Sequence, residues 1–218
     1  MTKSAMVLGA TGFVGSYLLT ELLASKRYER ITTPVRVASL EQHPTVEEIV
    51  YDFQDLSALN ELNPVDNIFC CLGTTIRTAG SKEAFRFVDF ELPLRFAQWA
   101  EKTGAESYSI VTAMGANADS RIFYNQVKGD IEDEVKKLDI LTVQIFRPSL
   151  ILGPRKEYRI GEIIGKGFMK IMNPFMVGSL NKYCGIHART IAEGMIYHLE
   201  SGKTGIHIIE SNRIAKPA

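Results

Sequence analysis

A doubly wound α/β fold, a parallel sheet with helices on both faces, is the architecture this sequence predicts. Three observations predict it. Short apolar runs alternate with helix-spaced apolar residues from Ala5 to Arg147. The first run, Ala5-Met6-Val7-Leu8, leads straight into the glycine turn Gly9-Ala10-Thr11-Gly12-Phe13-Val14-Gly15. Helical spacing then resumes at Tyr17-Leu18-Leu19 and Leu22-Leu23. A strand that is followed each time by a helix must return by a crossover, and crossovers make parallel sheets.

The remaining elements follow in order. Residues 31–37 predict a second strand, with Pro34 as a misfit because proline gives no ladder donor. Residues 48–53 predict a third strand and residues 67–73 a fourth. Between Lys82 and Glu101, Phe85, Val88, Leu92, Phe96 and Trp99 recur at helical spacing, so Phe96 and Trp99 are assigned to the core. Residues 107–112 predict a fifth strand, Tyr124 to Leu138 a helix, and residues 140–147 a sixth strand stopped by Pro148. A helix near Thr190 and a strand at residues 205–210 complete the pattern.

From Ile151 the rhythm breaks at Gly153-Pro154, at Gly161, Gly165 and Gly167, and at Asn173-Pro174. Ile163, Ile164, Phe168, Met169, Ile171 and Met172 make an apolar segment there. The reading is one domain spanning residues 1–218, in which residues 151–200 form a small lobe over the substrate end of the sheet.

Bulk properties narrow the function. Lys plus Arg equals Asp plus Glu at 25 each, and no basic stripe is visible, so nucleic acid and anionic membranes are not expected partners. No apolar stretch reaches the roughly 18 residues a bilayer span needs. Residues 1–4 lead directly into a strand, which argues against a signal peptide. Cys70, Cys71 and Cys184 offer neither a disulfide framework nor metal spacing. They are read as small hydrophobes in a reducing, cytoplasmic setting.

The glycine turn carries chemistry as well as shape. Backbone N–H groups and the positive end of the helix dipole converge at such a turn and suit a dinucleotide pyrophosphate. The spacing is G-x-x-G-x-x-G rather than G-x-G-x-x-G, and a purely structural glycine turn is the alternative.

A second signal is Tyr124-Asn125-Gln126-Val127-Lys128. Residues four apart share a helical face, so Tyr124 and Lys128 point the same way. A phenol is a poor acid or base at neutral pH, and a nearby ammonium favours the phenolate. The pair then moves a proton at a carbonyl or alcohol. Its place after the fifth strand matters, because parallel sheets bind ligands at strand C-termini. A solvated helix face is the plain alternative. Thr112 ends the fifth strand, and its hydroxyl is either a hydrogen-bond donor to a developing oxyanion or an ordinary strand-end threonine.

Together these residues resemble the short-chain dehydrogenase/reductase superfamily. Cys70-Cys71-Leu72-Gly73-Thr74-Thr75, Gly115-Ala116, Tyr124 to Gly129 and Phe146-Arg147-Pro148 are similar to the atypical Tat-interactive-protein-like oxidoreductases. The resemblance implies a Rossmann fold, a nicotinamide cofactor and Tyr/Lys proton chemistry. It implies that Gly9, Thr11, Gly12, Phe13, Val14 and Gly15 hold the pyrophosphate. Asp52 and Phe53 would border the adenine, and Leu72, Gly73 and Thr74 the middle of the cofactor. Lys128 would also reach the nicotinamide ribose, with Phe146, Pro148 and Ser149 near the nicotinamide. Arg36 stands at the end of the second strand, where an acidic residue grips the ribose 2′-hydroxyl of NAD; its planar fork suits a 2′-phosphate, so NADP is favoured over NAD. A solvated strand-end charge is the alternative.

Three departures from the superfamily pattern stand out. Thr112 and Ala113 replace serines, Met114 stands where related chains carry lysine, and Asp89 stands where many members carry a water-organising asparagine. The expected activity is hydride transfer between NADP and a small carbonyl or alcohol. The catalytic residues would be Thr112, Tyr124 and Lys128. An epimerase using a transient hydride is a near relation. The alternative is an NADP(H)-binding redox sensor that acts through a protein partner. Apolar helix faces allow a homodimer. The four histidines, His43, His187, His198 and His207, have no metal-ligand spacing. Arg155, Lys156 and Arg159 read as a solvated loop beside the substrate opening.

Overall fold

The computed structural model describes residues 2–153 and 184–215, with the side chains of residues 56–58 left aside. The strands are β1 (Lys3–Leu8), β2 (Tyr28–Val35), β3 (Val46–Val50), β4 (Asn67–Cys70), β5 (Ser107–Val111), β6 (Thr142–Arg147), β7 (Ile151–Leu152), β8 (Ile186–His187) and β9 (Gly205–Glu210). Seven of them form one sheet in the order β3-β2-β1-β4-β5-β6-β9. Every pair in it is parallel. The two-residue strands β7 and β8 pair separately. The strand order reverses between β1 and β4, and ligands of open parallel sheets bind in the crevice at such a reversal.

The helices are α1 (Phe13–Ser25), α2 (Ile76–Ala79), α3 (Lys82–Arg86), α4 (Leu92–Thr103), α5 (Phe123–Val135), α6 (Ala188–Glu200) and α7 (Ser211–Ile214). The apolar side chains of α1 and α6 cover one face of the sheet, where Leu18, Leu22, Ile191 and Met195 meet Val7, Phe69 and Phe146. On the other face, Phe96, Ala100, Ile131 and Val135 of α4 and α5 meet Met6, Ile68, Ile110 and Ile145. This double cover explains why the central strands β4 and β5 are buried at every residue. Phe96 and Trp99 are core residues, as expected. The apolar segment at Ile163–Met172, and the basic residues Arg155, Lys156 and Arg159, lie outside the described residues.

Pro34 sits inside β2 without breaking it. Ile31 donates its amide to Thr45, so alternation points 31, 33 and 35 at β3 and Pro34 at β1. The β1–β2 ladder ends at Met6↔Thr32, and the missing N–H of Pro34 therefore falls where no pairing remains.

The long helix expected over residues 82–101 is interrupted. Residues Phe87–Glu91 form a π-helical turn between α3 and α4. Leu92 donates its amide five residues back to the Phe87 carbonyl. Pro93 follows at the start of α4 and has no N–H for the Asp89 carbonyl. The wider turn follows from that lost bond, and π-turns cluster at functional sites. Strands β3 and β4 also end earlier than the apolar runs suggest, which releases residues 71–75 as a loop at the sheet reversal.

Candidate active-site cleft

The β1–α1 turn is built by close approach. Gly9 has φ +78, a left-handed conformation that favours glycine. A Cβ on Gly15 would lie 2.1 Å from the Gly9 carbonyl oxygen, so only glycine lets α1 start this near the strand. Gly12 caps α1 with no side-chain hydrogen bond. The Val14 and Gly15 amides of the first turn are therefore available to an acceptor, and the helix dipole favours an anion there. These residues fit a pyrophosphate.

A cleft of about 570 Å³ opens at this turn. Thr11, Gly12, Phe13 and Val14 form one wall, with Ser16 and Tyr17 of α1. The loop after β4 supplies Cys71, Leu72, Gly73 and Thr74. Thr112, Tyr124 and Lys128 form the far wall, with Val111, Asp89 and Ile151. The structure thus brings the glycine turn and the Tyr-x-x-x-Lys pair to one cavity.

Helix α5 is seated by another close contact. A Cβ on Gly129 would meet the Ala118 backbone nitrogen at 2.1 Å, so the helix crosses the 113–118 loop without clearance. The Tyr124 ring packs against Phe85 with centroids 5.5 Å apart. Lys128 lies one turn further along and is buried. Its ammonium meets Asp89 Oδ1 at 2.7 Å, with side-chain exposures of 5% and 1%. Asp89 Oδ2 accepts the Thr74 amide at 2.9 Å. Oδ1 has no well-directed hydrogen bond, so its short approach to Nζ is chiefly electrostatic. Burial alone pushes the Lys128 ammonium down, but Asp89, and to a lesser degree Tyr124, outweigh it and hold it above its ordinary value. Burial pushes the Cys70 and Cys71 thiols up, which favours their protonated form.

Thr112 departs from the expected open donor. Its Oγ1 donates to Glu132 Oε1 at 2.7 Å and lies 3.3 Å from the Phe146 carbonyl. A hydroxyl has one proton, and both neighbours are acceptors. The proton therefore points into the protein rather than at a ligand. Arg147 holds Glu132 with three contacts of 2.5 to 3.1 Å. Its remaining nitrogen reaches Glu210 at 3.1 Å.

Phe146 is also corrected. It is fully buried against α6 and edge-on to His198, so it is a core residue and cannot border a nicotinamide. Pro148 accepts the Met114 amide at 2.9 Å and so ties the loops after β5 and β6 together. The Ser149 hydroxyl donates to the Cys184 carbonyl. Arg36 and Asp52 are exposed and Phe53 is half-buried against Tyr51 and Phe96; none of the three lines the cleft. Asp52 caps its own turn by accepting the Gln54 amide at 2.9 Å. The sequence reading missed Ser16, Tyr17, Cys71, Val111 and Ile151 as lining residues; Cys71 alone carried a signal, as the residue just before the expected Leu72. Among the described residues no cluster of His, Cys, Asp and Glu is arranged for a metal.

Fold and cleft together define an α/β protein of the Rossmann type. Residues 5–127 match the NAD dependent epimerase/dehydratase family, and the chain belongs to that family. This places it in the short-chain dehydrogenase/reductase superfamily, as its motifs indicated. It is similar to Protein HTATIP2 of Rattus norvegicus, at 33% identity over 76% of this chain and 70% of that one. It is also similar to Protein fmp52, mitochondrial, of Emericella nidulans, at 35% identity over 74% and 72% of the two chains. Protein FMP52, mitochondrial, of Candida glabrata is 34% identical over 84% and 78%. In fold it resembles the Bordetella bronchiseptica enzyme WbmF in complex with NADH, with TM-score 0.73 and 16% identity, over all of this chain and 73% of the other. The enzyme WbmH of the same organism, in complex with NAD+, gives TM-score 0.71 and 14% identity over 96% and 76%.

The expected cytoplasmic location does not stand, because the two fungal relatives are named as mitochondrial proteins. Among the described residues no helix is long and apolar enough to cross a membrane.

Proposed function

We propose that this protein is an NADP-dependent oxidoreductase acting on a small carbonyl or alcohol. The observation that carries the proposal is one cleft lined by the first turn of α1, Tyr124 and Lys128. When bound, the nicotinamide supplies or accepts the hydride. The first-turn amides of α1 hold the diphosphate, with Thr11, Gly12, Phe13 and Val14 around it. Leu72, Gly73 and Thr74 run along its middle, and Pro148 and Ser149 support the loops at the far end. Tyr124 gives a proton to the substrate oxygen in reduction and takes it back in oxidation. Lys128 orients that exchange and reaches the adjoining ribose. Thr112 is left out of the proton path, because its proton is committed to Glu132. Arg36, exposed just beyond β2, supports NADP over NAD.

The test is Tyr124→Phe. Loss of about 100-fold or more in NADPH-dependent carbonyl reduction is expected, the usual scale for a lost general acid. Undiminished turnover on every reducible substrate would refute the proposal.

One observation favours a second reading, a cofactor-bound regulator with weak turnover. Residues 112–114 offer the cleft no free hydroxyl, since Thr112 is engaged and Ala113 and Met114 have none. Tight NADP(H) binding without turnover, together with a partner whose affinity follows the cofactor, would support it.

A further inference from the structure

We infer that Asp89 is a positioning residue: its carboxylate fixes the Lys128 ammonium in the cleft wall and offsets that charge beside Tyr124. The inference rests on the oxidoreductase reading and adds a residue to it.

The geometry is specific. Asp89 stands on the π-turn just before Pro93, rather than on a regular helix. One carboxylate oxygen is 2.7 Å from Lys128 Nζ and the other accepts the Thr74 amide. One buried side chain therefore joins the π-turn, the loop after β4 and α5, the three elements that frame this part of the cleft. Gly73, which lines the cleft, packs beside the pair: a Cβ there would lie 3.5 Å from Oδ1 and 3.9 Å from Nζ.

The electrostatic consequence follows from distance. A lone ammonium beside a phenol stabilises the phenolate. An ammonium in contact with a carboxylate presents a dipole, whose field weakens faster with distance than that of a charge. Other charges lie nearby: Asp133 and Glu134 pair with Lys136 and Lys137, and the Lys82 ammonium sits over the Phe123 ring, 5.2 Å from its centroid. Glu132 is held by Arg147 and Asp130 by Arg86. The thiols of Cys70 and Cys71 are kept neutral by burial. Among the described residues Asp89 is the carboxylate paired with Lys128, and it therefore tempers the charge that Tyr124 feels.

The test compares pH profiles of kcat for carbonyl reduction at saturating NADPH, which removes cofactor affinity from the readout. Tyr124 must be protonated to deliver its proton, so activity falls at high pH. In Asp89→Asn the uncompensated lysine should move that fall to lower pH. A merely structural role would lower activity without moving the limb. An unmoved limb in Asp89→Asn, in a protein whose activity Tyr124→Phe abolishes, overturns the role of Asp89 and leaves the oxidoreductase reading standing. Full activity in Tyr124→Phe overturns both. Should Asp89→Asn not fold, Asp89→Ser, which can still accept the Thr74 amide, is judged by the same outcomes.

Discussion

Thr112 Oγ1 donates to Glu132 Oε1 at 2.7 Å beneath the helix that presents Tyr124 and Lys128. Tyr124, Lys128 and Glu132 are spaced four apart and share one face of α5. The upper two line the cleft, and the third is 1% exposed and anchors the helix to the ends of β5 and β6. Thr112 therefore contributes to how the cleft is held rather than to the proton it moves.

That assignment predicts where Thr112 substitutions register. Thr112→Val should cost about 1–3 kcal/mol of stability, because Glu132 loses a donor in a buried place. Thr112→Ser should stay near wild type. Chemical denaturation measures both. A Thr112→Val protein that is fully stable yet inactive would restore the hydroxyl to the chemistry.

The Arg147–Glu132 pair should be strongly asymmetric. Arg147→Leu removes the nearest positive charge from the buried Glu132 carboxylate, leaving it Thr112 and a Lys136 ammonium 4.0 Å away, and should cost about 3–5 kcal/mol. Replacing both residues by leucine should cost less than that single change. A double-mutant cycle on unfolding free energies decides it, and strictly additive losses would contradict the account.

Gly15→Ala should damage the fold as well as binding. The new Cβ would meet the Gly9 carbonyl oxygen at 2.1 Å, and neither backbone has room to yield. A loss of about 1–3 kcal/mol is expected, typical of overpacking. Thermal melting without cofactor isolates it, and an unchanged melting temperature would show that α1 can shift freely.

Arg36→Ala should narrow the preference for NADP over NAD by about tenfold or more, the scale of a lost charge-assisted contact. Affinities for the two dinucleotides, measured side by side, test this. Equal losses for both would assign Arg36 to the surface alone.

Acid should weaken the start of the sheet through Asp66. Burial pushes this carboxyl up, but hydrogen bonds from the Ser4 amide and hydroxyl, at 2.6 and 2.7 Å, and the nearby Lys3 outweigh it and hold it below the ordinary value. The lowered folded-state value means its stabilisation is present above the unfolded-state value of about 3.9 and is lost as pH falls through the folded-state value. Asp66→Asn should therefore flatten the acid end of a stability-against-pH curve. The change should be small, because the carboxyl is partly exposed.

Much of this was legible in the chain. Strand-forming runs and helix spacing gave the order of elements, and the glycine turn and Tyr124/Lys128 gave two walls of the cleft. What escaped depended on non-local packing. Phe146 looked like part of a motif, yet strand alternation turns it into the α6 face. Thr112 looked available, but an acceptor twenty residues away takes its proton. Asp89 was visible only as a departure from a familiar pattern. Its meeting with Lys128 needed the π-turn, and the one local hint of that turn was Pro93.

The most direct measurement is a crystal structure with NADP bound. The account predicts the diphosphate at the Val14 and Gly15 amides, and the nicotinamide close enough that a substrate oxygen beside its C4 would lie within hydrogen-bond reach, roughly 3 Å, of the Tyr124 hydroxyl. A pyridine ring bound away from Tyr124, on the far side of the Gly73 loop, would contradict it.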